Sequence, residues 1–275
     1  MSIYNRNGKE VFYQLDGNPN NPKLLILNGI MMSTNSWIPF MSSLKEHFYI
    51  LRMDYLDQGG SSKLVGKSYT HDLQADVVKD LLDHLKIKKI NIAGISYGGN
   101  GALYFTCKYQ EYVNRVMLFN SGAYTTAWLK DIGDGWIKAG YTRDASLYYK
   151  VTIPPIYSEK YYGEKTEWMK AREQVLKPVF SNPEWLDAME RLTRSAESYD
   201  VRDKLKGVKV PVMIISAEQD VLTPVQDQEY LYKNLPNAYW IKLPEVGHAS
   251  MYENPLVFTS LITGFFLVKD TEYVI

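Results

Sequence analysis

Ile90-Asn91-Ile92-Ala93-Gly94-Ile95-Ser96-Tyr97-Gly98-Gly99-Asn100-Gly101-Ala102-Leu103-Tyr104-Phe105 is the stretch whose reading decides the fold. The run up to Ala93 reads as a short buried strand, and the run from Gly99 reads as a helix with small residues in its first turn. Between them lies Gly94-Ile95-Ser96-Tyr97-Gly98, a G-x-S-x-G signature in the strand–turn–helix context that it requires. A turn this sharp strains the serine backbone and holds its hydroxyl clear of the strand end. A Cβ at Gly94 or Gly98 would collide with the neighbouring strand or helix. The helix N-terminus adds free backbone N–H groups and a positive dipole end. The five residues alone also suit a plain glycine-rich turn that packs a helix close to a sheet. The order of the other pieces decides between the two.

Outward from this turn, the first half of the chain alternates strands and helices. Glu10–Leu15 reads as a strand after an Asn7-Gly8 turn, which implies an N-terminal hairpin. Lys23–Leu27 is a continuous apolar run, as expected of a strand buried on both faces. A helix starting near Asn35 or Ser36 would carry Trp37, Phe40, Met41 and Leu44 on one face, before a strand at Phe48–Met53. Thr70 can cap a helix in which Leu73, Val77, Leu81, Leu82 and Leu85 recur at helical spacing. A strand at Arg115–Phe119 follows the Ser96 helix. Such alternation specifies a parallel sheet with helices on both faces. From Tyr124 to about Lys206 no strand is convincing. Aromatics, among them Tyr148, Tyr149, Trp168 and Trp185, are scattered through helical stretches that Pro154-Pro155 interrupts. We read 124–206 as a helical cap inserted into a core made of 1–123 and 207–275. The alternation resumes with a strand at Val210–Ser216, a helix from Pro224 to Leu235, a strand at Tyr239–Leu243 and a last helix opened by Pro255.

Composition bounds the function. With 45% hydrophobic and 23% charged residues among 275, the chain has the make-up of a soluble globular protein. Its formal net charge is zero and it has no basic stripe, which argues against a nucleic-acid partner. The longest apolar stretch, Pro255–Val268, is too short to span a bilayer and reads as a buried terminal helix. Cys107 is the single cysteine, so no intrachain disulfide can form, and it reads as a small buried hydrophobe. With no visible secretory signal, a cytoplasmic location is the default expectation. No Cys/His spacing suggests a metal site, and no G-x-G-x-x-G follows a strand. No cofactor is therefore expected. Nothing in the sequence speaks to oligomeric state.

A serine hydroxyl is a poor nucleophile until a base lies within hydrogen-bond reach and a third group fixes that base's tautomer. In α/β folds such groups sit on loops at the carboxyl ends of strands. Asp220 and His248 fall in such loops, after the two last strands, giving the chain order Ser, Asp, His that accompanies a nucleophile elbow. Glu218 is the rival acid, and Asp220 sits closer to the expected turn. Among the other histidines, His47 lies at the amino end of a strand, His84 inside a helix, and His71 at a helix start that could border the cleft. Donors for an oxyanion are expected from the backbone N–H of Tyr97 and, in the Asn28–Met32 loop, of Ile30. The loop Asp54–Ser62 lacks the lysine of a phosphate-binding loop and reads as a structural turn.

With these pieces in place, the chain resembles members of the α/β-hydrolase superfamily over nearly its full length. The resemblance rests on Leu27-Asn28-Gly29-Ile30, Asp54 to Ser62, Gly94 to Gly99, the acid loop at Asp220, and Gly247-His248 before the terminal helix. It implies a mostly parallel eight-stranded sheet, a helical cap between the sixth and seventh strands, and a cofactor-free Ser–His–Asp site. Many relatives carry His-Gly where this chain has Asn28-Gly29, and asparagine can also hydrogen-bond the loop.

The expected activity is hydrolysis of a carboxylic ester of a small, apolar substrate through an acyl-enzyme. Ser96 would attack, His248 would shuttle the proton and Asp220 would orient the imidazole. The same machinery could open a lactone, cleave a carbon–carbon bond or transfer an acyl group to an alcohol. A serine argues against haloalkane dehalogenation and epoxide hydrolysis, since related enzymes of those types use a carboxylate there. Trp128, Trp136 and Tyr141 are candidates for substrate contact, against the alternative that the aromatics form the cap's own core. A small-molecule receptor built on the same scaffold is the rival of another class.

Overall fold

An eight-stranded sheet organises the chain. The structure, a computed structural model, describes residues 2–269. The strands are β1 (Ser2–Arg6), β2 (Lys9–Asp16), β3 (Lys23–Leu27), β4 (Tyr49–Met53), β5 (Ile90–Ile95), β6 (Val113–Phe119), β7 (Val212–Ala217) and β8 (Ala238–Leu243). Their order is β1-β2-β4-β3-β5-β6-β7-β8. β1 and β2 form the expected hairpin, with Asn7 and Gly8 both at positive φ as a tight hairpin turn demands. β2 pairs antiparallel with β4, and the remaining pairs are parallel.

The helices are α1 (Ile38–Leu44), α2 (His71–His84), α3 (Tyr97–Lys108), α4 (Ala127–Tyr141), α5 (Ala145–Thr152), α6 (Glu159–Glu164), α7 (Thr166–Phe180), α8 (Pro183–Ala196), α9 (Val225–Asn234), α10 (Ser250–Glu253) and α11 (Pro255–Leu267). A single 3-10 turn at Thr34–Trp37 precedes α1, so the first helix is shorter than its apolar spacing predicts. Thr70 caps α2 by accepting the Asp72 backbone N–H.

Strand period 2 distributes the apolar residues over two cores. Leu25 and Leu27 of β3 pack with Val77, Val78, Leu81 and Leu82 of α2 and Leu103 and Phe105 of α3. Leu24 and Ile26 point the other way, into Trp37, Phe40 and Leu44 beside Phe258, Ile262 and Phe266 of α11. Each fully buried Leu or Ile contributes about 1.5–3 kcal/mol relative to exposure. The continuous apolar run of β3 is thus the sequence signature of burial on both faces. No helix among the described residues is long and apolar enough to cross a membrane.

Between β6 and β7 lie α4 to α8, with an aromatic-rich core of their own around Tyr148, Tyr149, Tyr157, Phe180 and Leu186. The two ends of this segment are tied together by an antiparallel bridge between Tyr124 and Asp200. Backbone bonds Thr125 N–H to Tyr199 O (2.9 Å) and Val201 N–H to Ala123 O (2.9 Å) flank it. A two-residue bridge leaves no periodic pattern, so sequence reading passes over it.

Two features aim the site. β3 and β5 are neighbours, yet the chain leaves β3 toward β4 on the other side. The loops after β3 and β5 therefore diverge and open a crevice at the carboxyl edge of the sheet. The second is the close approach at the Ser96 turn. A Cβ on Gly94 would overlap the Gly98 carbonyl, and one on Gly98 would overlap the carbonyl oxygens of Leu27 and Asn28. Gly98→Ala is expected to destabilise the fold by about 3 kcal/mol or more, since rigid backbone would have to move. Gly135→Ala, in α4 with nothing within 4 Å of the added carbon, is expected to be neutral or to stabilise by about 0.5–1 kcal/mol. Urea denaturation of the two variants checks both signs.

Candidate active site

Ser96 sits at φ 54°, ψ −122°, a conformation that costs a non-glycine residue about 1–3 kcal/mol. The turn is held by its surroundings. The Ser96 N–H donates to Phe119 O (2.9 Å), and the Ser96 carbonyl accepts the Asn100 N–H (2.9 Å) and the Ser121 hydroxyl (3.1 Å). The result is a half-buried hydroxyl at the apex between β5 and α3. Tyr97 opens α3, so its backbone N–H has no acceptor one turn back within the helix.

The loop after β3 is pinned from below. Asn28, fully buried, donates to Met53 O (2.9 Å), Asp54 Oδ1 (3.2 Å) and Gln58 Oε1 (3.2 Å), and accepts the Trp37 indole N–H (2.7 Å). Gln58 Nε2 donates to the carbonyls of Gly29 (2.8 Å) and Ile30 (3.1 Å), which fixes the loop backbone there. Asp54 accepts the N–H groups of Thr34 and Gly60. Burial raises its pKa, and these donors, with Asn28, work against that rise. The Asp54–Ser62 loop is structural scaffolding, as its sequence suggests.

Asp220 and His248 meet directly. His248 Nδ1 lies 2.6 Å from Asp220 Oδ2, and both residues are buried. A carboxylate only accepts, so the neutral ring carries its proton on Nδ1 and its lone pair on Nε2. Asp220 is further fixed by the N–H groups of Leu222 (2.8 Å) and Thr223 (2.9 Å), the Thr223 hydroxyl (2.8 Å) and the Asn120 amide (3.0 Å). Glu218, the rival acid, is exposed. Asp227, beside this cluster, is pushed up to about 6, by burial first and the Asp220 charge second.

Sequence reading missed Asn120 and Thr223. Asn120 is fully buried at positive φ just past β6, and its amide also donates to the His248 carbonyl (3.1 Å). Its place at a strand's carboxyl end was visible, but its partners are 100 and 128 residues away in sequence.

Ser96 and His248 border the same two cavities. One, about 70 Å³, runs between Leu129, Ile132 and Trp136 of α4, Ala196, and Leu222. The other, about 340 Å³, lies between the loop after β3, α7 and α10. Ile30 lines both, and Tyr97 lines the smaller. Among the described residues the Ser96 hydroxyl and the His248 ring share no hydrogen bond. In ligand-free sites such bonds are often long and tighten with substrate in place. Of the three expected substrate contacts, Trp136 lines both cavities. Trp128 and Tyr141 line neither: Trp128 is exposed and donates to Val221 O (2.7 Å), and exposed Tyr141 donates to Glu190 (2.6 Å). Both rings bond their own neighbours across the surface, a placement that helical spacing alone does not disclose.

The match to known proteins follows the same lines. A family model for the alpha/beta hydrolase fold matches residues 22–255. The chain belongs to the α/β-hydrolase family. MGS-M2, an alpha/beta hydrolase enzyme from a Medee basin deep-sea metagenome library, is 45% identical, with TM-score 0.96 over 100% of both chains. The enol-lactonase from Burkholderia xenovorans LB400 is 23% identical, with TM-score 0.84 over 98% of this chain and 100% of its own. The 3-oxoadipate enol-lactonase 1 of Acinetobacter baylyi is 24% identical over 96% of each chain. In this α/β-hydrolase no group of three or more metal-ligating side chains occurs among the described residues.

His71 does not join the site. It is buried between Tyr97, Tyr104 and Tyr199, with ring centroids 4.5, 6.4 and 4.9 Å away. Neither ring nitrogen has a partner in hydrogen-bond geometry, although the nearby backbone of Tyr97 and Ser195 opposes the shift. Burial lowers its pKa from 6.5 to about 4. In the folded hydrolase the ring is therefore neutral between pH 4 and 6.5, where the unfolded chain binds a proton. That contribution is complete above pH 6.5 and is lost as pH falls toward 4. His71→Phe is expected to shrink the loss of unfolding free energy between pH 6.5 and 4 by up to about 3 kcal/mol, read from urea titrations at both pH values.

Proposed function

We propose that this hydrolase cleaves a carboxylic ester of a small substrate through an acyl-enzyme on Ser96. The observation that carries this reading is the 2.6 Å contact of His248 Nδ1 with Asp220, which leaves Nε2 as a base on the wall shared with Ser96. In the proposed cycle Ser96 Oγ attacks the ester carbonyl carbon and passes its proton to His248 Nε2. The tetrahedral oxyanion is met by the backbone N–H groups of Tyr97 and Ile30. Collapse expels the alcohol, which takes the proton from His248. Water then attacks the acyl-enzyme with His248 as base, and the carboxylic acid leaves. Asp220 holds the ring's tautomer and stabilises the imidazolium. The helical segment 124–206 acts as a cap over this site and, with core segments 1–123 and 207–275, selects the substrate.

A second reading is lactone opening. A lactone is a cyclic ester, so the same steps apply with the alcohol still tethered. The kinship with two proteins named as enol-lactonases favours it.

Ser96→Ala is expected to abolish turnover of an ester and lactone panel, together with labelling by a serine-directed phosphonate. Asp220→Asn, which disturbs the tautomer and sets an amide N–H group among donors that the carboxylate accepts, should lower kcat by on the order of 10³–10⁴ and also lower the urea unfolding midpoint. Undiminished turnover in Ser96→Ala would overturn the proposal.

A further inference from the structure

The larger cavity contains a charge with no counter-charge. Among the described residues, Arg172 of α7 is, with His248 set aside, the one ionisable side chain of the Lys, Arg, Asp or Glu type on its wall. The rest of that wall is largely apolar, with Ile153, Ile156, Leu176, Val179 and Phe180 beside it. Spacings of four and three residues place Arg172, Leu176 and Val179 on one stripe of α7, so the helix presents a cation and an apolar ramp together.

Arg172 is positioned without being neutralised. Its guanidinium lies over the Trp168 ring at 5.2 Å and the Tyr252 ring at 4.8 Å. Aromatic faces steady a guanidinium and leave its N–H edge open to an acceptor. Its Nε is buried with no hydrogen-bond partner. The nearby carboxylates are committed elsewhere. Glu253 accepts from the Ser158 N–H (2.8 Å), the Ser158 hydroxyl (2.6 Å) and the Gly247 N–H (3.2 Å). Glu173 pairs with Lys150 (3.1 Å) and Lys177 (3.4 Å). A buried donor without an acceptor is costly, and Arg172 alone among the described residues with such an atom lies on this cavity's wall, where a ligand could supply the acceptor.

We propose that Arg172 binds a carboxylate at the end of the substrate remote from the scissile ester, so that the substrates are amphiphilic ω-carboxy esters or lactones. The inference rests on the serine-hydrolase reading of Ser96. It adds, to the small, apolar substrate expected from sequence, an anion at the far end of an apolar span. A planar carboxylate suits one guanidinium fork, whereas a phosphate dianion calls for more donors than a single cation offers.

The test uses monoethyl esters of the straight-chain dicarboxylic acids from succinate to suberate. Each is paired with a neutral ester of equal length in which an isopropyl group replaces the free carboxylate. At the best chain length, kcat/KM for the acid ester is expected to exceed that of its neutral partner by about tenfold or more. The ratio should fall toward one in Arg172→Met and be partly kept in Arg172→Lys, which holds the charge but not the fork. Calorimetric binding of the best acid ester to Ser96→Ala should weaken about tenfold when Arg172→Met is added, and by a smaller factor when Arg172→Lys is added. A ratio of one or below at every length in the parent, or a Kd that ignores both changes, overturns the proposal. Turnover that survives in Ser96→Ala would instead sink the serine-hydrolase reading, and the Kd comparison would still decide the carboxylate site. Should Arg172→Met fail to fold, the parent's ratios and the Arg172→Lys measurements decide alone.

Discussion

The close approach of backbone to backbone where β5 meets α3 carries the rest of the structure. Gly94 and Gly98 let the start of α3 lie against the end of β3, at a separation that any Cβ would forbid. That contact forces the chain to reverse within one residue, and the residue at the reversal, Ser96, takes a positive φ. The strain is local and its restraints are not. Phe119 at the end of β6 and Ser121 just past it hold the Ser96 peptide. The same Ser121 region borders Asn120, which reaches Asp220 and the His248 carbonyl. Strain at one residue is thus over-determined by three strand ends.

Asn28, Asp54, Asn120 and Asp220, buried at the sheet's carboxyl edge, are each held by several hydrogen bonds to backbone or to fixed neighbours. Asn28, Asp54 and Gln58 interlock under the loop that carries Ile30. Asp220 accepts from four donors besides the imidazole. Such networks leave few alternative arrangements, because each broken bond would strand a polar group away from water. They give a preorganised site that need not reorganise as charge develops, the feature on which the proposed acyl-transfer chemistry depends. Arg172 Nε, by contrast, has no acceptor. Among the described residues with a buried, unpartnered side-chain N or O atom, Arg172 is the one on the wall of the larger cavity, which gives it weight as a binding group.

The helical segment between β6 and β7 has two roles that its composition blends. Many of its aromatics, such as Tyr148, Tyr149 and Phe180, pack among themselves. Others, such as Trp136 and Trp185, face the cavities that reach Ser96. α8 also touches the core beneath the turn, where the Tyr97 and Ser195 hydroxyls lie 2.9 Å apart. The segment is therefore in direct contact with the residue next to Ser96.

Local chemistry was enough for much of this protein. Period-2 and period-3.6 patterns located the strands and helices of the core, because burial on a sheet face or a helix stripe repeats along the chain. Glycine at 94 and 98 announced the turn, because only a missing side chain permits that approach. Asp220 and His248 could be named as candidates because strand ends and loops are visible in one dimension. What remained to the tertiary structure were relations without periodicity. Asn120 reaching Asp220, the bridge from Tyr124 to Asp200, the outward placing of Trp128 and Tyr141, and the unmatched charge of Arg172 all depend on which distant surfaces meet. A side chain's partners across 100 residues are set by how layers pack, and packing leaves no local mark on the residue that it surrounds.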